Sequence, residues 1–121
     1  MLNFSSNVKI YLAAGSTDMR KSFDALAAAA RVVLEKDPYS GQVFAFCGRR
    51  RDLVKILYWD TTGFWLLAKR LARGCFAWPE KGDGRGCIEL RPEQLAAVVG
   101  GLDLGRSAWK AWVPQPIRQA G

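Results

Sequence analysis

Between Val43 and Leu71 the chain runs through three segments rich in aromatic and β-branched residues, Val43–Cys47, Leu53–Trp59 and Phe64–Leu71. They are separated by Gly48-Arg49-Arg50-Arg51-Asp52 and by Asp60-Thr61-Thr62-Gly63. Turns this short cannot hold a crossover, so they join neighbouring strands in antiparallel fashion. Residues of these types fit a pleated, half-buried surface, and the pattern predicts a three-stranded meander. In the third segment Trp65, Leu67 and Leu71 fall on one side with Lys69, whereas Phe64, Leu66 and Ala68 share the other with Arg70. Both sides are mixed, which leaves the register open.

The flanking sequence supplies the remaining elements. Val8–Leu12 reads as a strand that stops at Gly15-Ser16. A long helix is then expected from Thr17 as N-cap with Asp18 in its first turn. Its buried stripe would be Met19, Phe23, Leu26, Ala30, Val33 and Leu34, with Arg20, Asp24, Arg31 and Glu35 towards solvent. Asp37–Gly41 is a turn. Cys75–Trp78 reads as a short extra strand ended by Pro79, Glu80–Gly86 as a mobile loop and Cys87–Leu90 as a brief strand. A second helix carries Pro92 near its start and Leu95, Val98, Val99 and Leu102 on one face, and stops at Gly100-Gly101. The expected fold is a single α+β domain over residues 1–102. It is a mostly antiparallel sheet with a three-stranded meander, one long helix packed on it and a short C-terminal helix, and residues 103–121 are expected to be a flexible tail. A chain of 121 residues, half of them apolar, is the size of one such domain.

Charge narrows the class of partner. Eighteen Lys and Arg against eleven Asp and Glu give +7, and Gly41–Arg73 alone holds seven basic residues against Asp52 and Asp60. A concentrated positive field attracts polyanions and makes nucleic acid the leading class of ligand. Composition by itself fits a solvated, solubilising face equally well. The candidate nucleic-acid contacts are Arg20 and Lys21, then Arg49, Arg50, Arg51 and Lys55, then Lys69, Arg70 and Arg73. Aromatic residues interleave with the last group, and core packing accounts for most of them.

Catalysis finds little to work with. The chain has no histidine, and Cys47, Cys75 and Cys87 are three thiols without C-x-x-C spacing, read as buried and free. Gly15–Ser22 follows a strand and nearly spells a phosphate-cradling loop, but Arg20 stands where the second glycine is needed for the backbone to curl around phosphate. Asp18, Asp24, Asp60 and Glu89 show no spacing that demands a metal. No catalytic residue, metal site or cofactor is therefore expected. No apolar run approaches the roughly 18 residues of a membrane span, and Met1–Lys9 is too polar for a secretory signal, so a cytoplasmic protein without membrane contact is expected.

Five blocks in order carry a family resemblance: VKIYLAAGSTDMRKSF at Val8–Phe23, DPYSGQVFAF at Asp37–Phe46, GRR at Gly48–Arg50, VKILYWD at Val54–Asp60 and AKRLARGCFAWP at Ala68–Pro79. Together they resemble the TnpB-type, second-open-reading-frame proteins of the IS66 family of bacterial insertion sequences, over about Val8 to Leu102. The resemblance implies an accessory protein of transposition, the acidic catalytic residues belonging to a separate large transposase. It implies that transposase as a partner, while DNA as a partner is what the concentrated positive charge suggests. Two roles stay open: binding DNA through a basic surface, or bridging transposase subunits as an adaptor without touching DNA. The chain departs from the family pattern at Arg51, where a glycine is usual, at Arg91, where a threonine-like helix cap is usual, and at Cys75, where an arginine is usual.

Overall fold

A computed structural model describes residues 4, 5, 7–81 and 86–100. The elements in chain order are β1 (Ile10–Ala13), α1 (Phe23–Val32), β2 (Val43–Cys47), β3 (Leu53–Trp59), β4 (Phe64–Arg70), β5 (Cys87–Leu90) and α2 (Pro92–Val99). They build one five-stranded sheet in the order β4-β3-β2-β1-β5. The meander stands as expected, with Val43 opposite Tyr58 and Leu53 opposite Arg70. The sheet as a whole is mixed, because β1 and β2 are joined through α1 and pair parallel. A helical crossover returns the chain to the end of the sheet where it began, so the next strand runs in the same direction.

Both faces of the sheet are covered, which explains why β2 (VFAFC) is buried at every position. On one face Leu26, Ala27, Ala30 and Leu34 of α1 pack over Tyr11, Phe44, Phe46 and Leu57. On the other, Leu95 and Val98 of α2 join Phe76 and Trp78 over Ile10, Leu12, Val43, Val54 and Ile56. The mixed sides of β4 follow from this arrangement, since Leu66 leans on the α1 layer and Leu71 on the α2 layer.

The first helix is shorter than expected, ten residues, and begins five residues later than Thr17 as N-cap would place it. Ser22 is the N-cap, and Leu26 N–H to Ser22 O at 2.8 Å is the first helical bond. Tertiary bonds hold the preceding segment out of the helix. Thr17 N–H donates to Cys47 O at 2.8 Å, and the Lys55 ammonium donates to the carbonyls of Met19 and Lys21 at 2.8 and 2.9 Å. With no helical turn before it, Phe23 is 44% exposed, and Val33, at the C-cap, is 55% exposed. Neither belongs to the core that the stripe puts them in. Asp24, Arg31 and Glu35 are exposed as expected.

Cys75–Trp78 is not a strand. Phe76 and Trp78 both plunge into the same core layer, which the alternation of a strand would allow, but single bonds replace a ladder. Phe76 N–H donates to Arg51 O at 2.6 Å and the Trp78 indole to Ala13 O at 2.9 Å. At α2 the missing side-chain cap of Arg91 is partly compensated, since Gln94 Oε1 accepts the Arg91 N–H at 2.9 Å. Cys47 is buried as expected and burial pushes its thiol up to about 11, whereas Cys75 is exposed. Leu102, residues 82–85 of the expected loop and the 103–121 tail lie outside the described residues.

Candidate nucleic-acid interface

Parallel pairing of β1 and β2 sends the chain out of both strands at the same end of the sheet. Cys47 faces Val54 and Leu53 faces Arg70, so the 48–52 turn and the exit from β4 lie at that end too. Over residues 14–24, 48–52 and 69–81, nine lysines and arginines stand against four acids. At the opposite end, over 7–9, 31–42, 60–63 and 91–93, four stand against four. Topology thus collects basic groups that are scattered in the sequence.

Several of these cations hold the protein together. Arg51, only 18% exposed in its side chain, donates to Gly15 O at 2.9 Å and to Glu80 Oε2 at 3.0 Å. Its backbone lies at φ 64, in the left-handed region that favours glycine and costs other residues about 1–2 kcal/mol. That geometry suits a glycine, and the two side-chain bonds offset the cost for arginine. Lys55 fastens the 19–21 loop, as described above. Lys69 turns to α2, where its ammonium caps Val99 O at 2.7 Å, a favourable place for a cation at a helix C-terminus.

Arg20 is tied locally. The Asp18 carboxylate accepts its backbone N–H at 3.0 Å and its guanidinium at 2.8 Å, and this donation holds the Asp18 carboxyl well below the usual range. Asp18 therefore places a negative group in the loop that the glycine-loop comparison would reserve for phosphate.

The remaining basic groups point outward. Arg49, Arg50, Arg70 and Arg73 are exposed. Arg50 and Arg70 reach the same Asp52 carboxylate at 3.9 and 3.5 Å. Two backbone bonds, Leu71 N–H to Asp52 O at 2.8 Å and Phe76 N–H to Arg51 O, fix this convergence, and the Cys75 thiol donates to Arg50 O at 3.5 Å. Exposed ion pairs of this kind are worth about 0–1 kcal/mol, so the shared Asp52 leaves both guanidinium groups able to meet phosphate. Lys21 flanks the strip. So does Lys81, which the sequence reading leaves in a loop; Gly15 N–H to Pro79 O at 2.9 Å draws that segment in, a long-range pairing with no local signal.

Of the candidate carboxylates, Asp18 is at the basic end, Asp60 in the far turn, Asp24 on α1 and Glu89 on β5. Among the described residues no group of three or more potential metal ligands comes together, and no helix is long and apolar enough to cross a membrane.

Fold and site define a small α+β protein with a mixed five-stranded sheet and a basic end. Residues 8–108 match the family model described as IS66 Orf2 like protein, and the chain belongs to that family. Two relatives from Sinorhizobium fredii are similar along almost their whole length. Uncharacterized protein y4hO is 38% identical over 97% of this chain and 99% of its own, and uncharacterized protein y4jC is 34% identical over 99% and 100%. No solved structure gives a significant match.

Proposed function

We propose that this insertion-sequence accessory protein is non-catalytic and binds DNA in the bacterial cytoplasm, acting beside the transposase of the same element. The observation that carries the reading is the gathering of Arg49, Arg50, Arg70 and Arg73 at one end of the sheet, held there by backbone bonds. Arginine presents a planar fork that suits phosphate, and four such groups, on the 48–52 turn and at and just beyond the end of β4, form a strip along which a duplex backbone can lie. Contacts of this type position a protein without reading bases, so binding is expected to be weakly sequence-dependent and strongly salt-dependent. Lys55 and Arg51 act behind the strip by fixing loops, and Lys69 by tying the end of β4 to α2.

Fluorescence anisotropy with a labelled duplex over a salt series tests this. Each phosphate contact should contribute about −0.9 to the log-log slope of affinity against salt. A slope near zero would contradict it. The adaptor reading is favoured by a different observation, the half-exposed, hydrogen-bonded Trp65 on β4. Under that reading DNA binding is negligible and the measurable interaction is capture of the transposase.

A further inference from the structure

The described sheet has two edges, β4 and β5. An exposed edge is a row of unpaired N–H and C=O groups that templates another strand, and proteins blunt it by shortness, proline, bulges or charge. β5 is four residues long and is followed, after Arg91, by Pro92. β4 is seven residues long, FWLLAKR, contains no proline, and keeps an unbroken register with β3 from Arg70 to Phe64. Among the described residues no strand lies on its outer side.

The side chains along this edge are prepared for contact. Trp65 is 51% exposed and Leu67 36% exposed. The Trp65 indole N–H donates to Asp60 Oδ2 at 2.6 Å, and the other oxygen of that carboxylate is fixed by the Thr62 and Gly63 N–H groups at 3.1 Å each. A large aromatic ring held in place before docking loses little freedom on binding. Next to it an apolar groove of about 250 Å³ runs between β3, β4 and α2, lined by Ile56, Leu67, Ala96 and Val99.

We infer that β4 is the interface at which a second copy of this chain docks, adding its own β4 antiparallel about a two-fold axis at Leu67. The charge layout of the strand selects that occupant. Its first half is aromatic and its last two residues are cationic. Antiparallel self-pairing centred on Leu67 sets Trp65 opposite Lys69 of the partner subunit and Phe64 opposite Arg70 of the partner subunit. Cations and aromatic faces attract in such pairs, whereas parallel pairing would set like charges side by side. The axis stands perpendicular to the sheet, so two five-stranded sheets become one continuous sheet. The basic ends point in opposite directions, so Arg49, Arg50 and Arg73 stay open, whereas Arg70, the last residue of β4, lies at the seam.

Sedimentation velocity of the full chain is expected to give twice 13.4 kDa. Leu67→Lys and Leu67→Glu each put two like charges on the axis and should each sediment as folded monomers, and an equimolar mixture of the two should recover the dimer. A monomeric unmodified protein, dimeric single variants, or a mixture of folded variants that stays monomeric would overturn the proposal. If circular dichroism shows either variant unfolded, hydrogen exchange on the unmodified chain decides instead. The β4 amides should exchange more slowly at high than at low protein concentration, and concentration-independent rates there would overturn it.

Discussion

The two ends of the sheet solve one structural problem with opposite charges. Where β1 and β2 finish, loops are fastened by cations donating to carbonyls: Lys55 to Met19 and Lys21, and Arg51 to Gly15. Where β2 begins, carboxylates accept from turn N–H groups: Asp37 from Tyr39 at 2.9 Å, and Asp60 from Thr62 and Gly63. Aromatic rings complete that second end, with Tyr39, Trp59 and Phe64 packed at centroid distances of 5.0 to 5.2 Å. A count of positive residues therefore overstates the positive surface. At the basic end some cations are structural and others face water, and only the second group can serve a polyanion.

The helix that spans from one end to the other supplies the largest expected effect. Leu26 is fully buried, and Leu26→Ala should cost about 2–5 kcal/mol, whereas Phe23→Ala, at the half-exposed start of the helix, should cost under about 2 kcal/mol. Urea denaturation of both variants checks the order. The reverse order would restore the stripe that includes Phe23 and move the helix start back towards Thr17.

Within the basic end the division between structural and outward cations is expected to appear as a difference in stability. Lys55→Met keeps an apolar stem but leaves two carbonyls without their charged donor, at a cost of about 1.5–3 kcal/mol. Arg49→Gln should stay within about 0.5 kcal/mol of the unmodified protein. Equal effects in the same denaturation assay would erase the distinction.

How much of this was legible in the residues depends on the range of the forces involved. The meander is written locally, in short turns and β-rich runs, and the structure keeps its strands to within a residue. Gly48–Asp52 and the β4 exit could be expected to meet for the same reason. The parallel β1–β2 pair was not legible, because nothing in Val8–Leu12 names its neighbour. The helix start was missed because Lys55 decides it, more than thirty residues along the chain from Met19 and Lys21. Local preference for a Thr17 cap loses to those two bonds. Lys69 shows the same limit, since its spacing groups it with Arg70 and Arg73, yet α2 claims its ammonium.

A smaller effect at the far turn is a dependence on pH. Donation from Trp65 first, then from Thr62 and Gly63, lowers the proton affinity of Asp60 in the folded state. A carboxyl with a depressed folded value contributes stability that is complete above the unfolded range and is lost as pH falls through the folded value. Asp60→Asn removes that contribution, so thermal stability of the variant should fall less steeply than that of the unmodified protein below about pH 4. Identical acid limbs would mean that the far turn carries no such linkage.

The central claim is that position, and not net charge, makes the basic end a DNA surface. Two triple variants that remove the same charge separate these causes: Arg49→Gln with Arg50→Gln and Arg73→Gln at the basic end, and Lys9→Gln with Arg31→Gln and Arg91→Gln at the other. All six side chains belong to exposed residues. Salt titrations of duplex binding by anisotropy should show the first variant losing about 0.9 of slope for each phosphate contact removed, up to about three units, and the second keeping the slope of the unmodified protein. Equal losses in both variants, or a slope near zero before any substitution, would contradict the account.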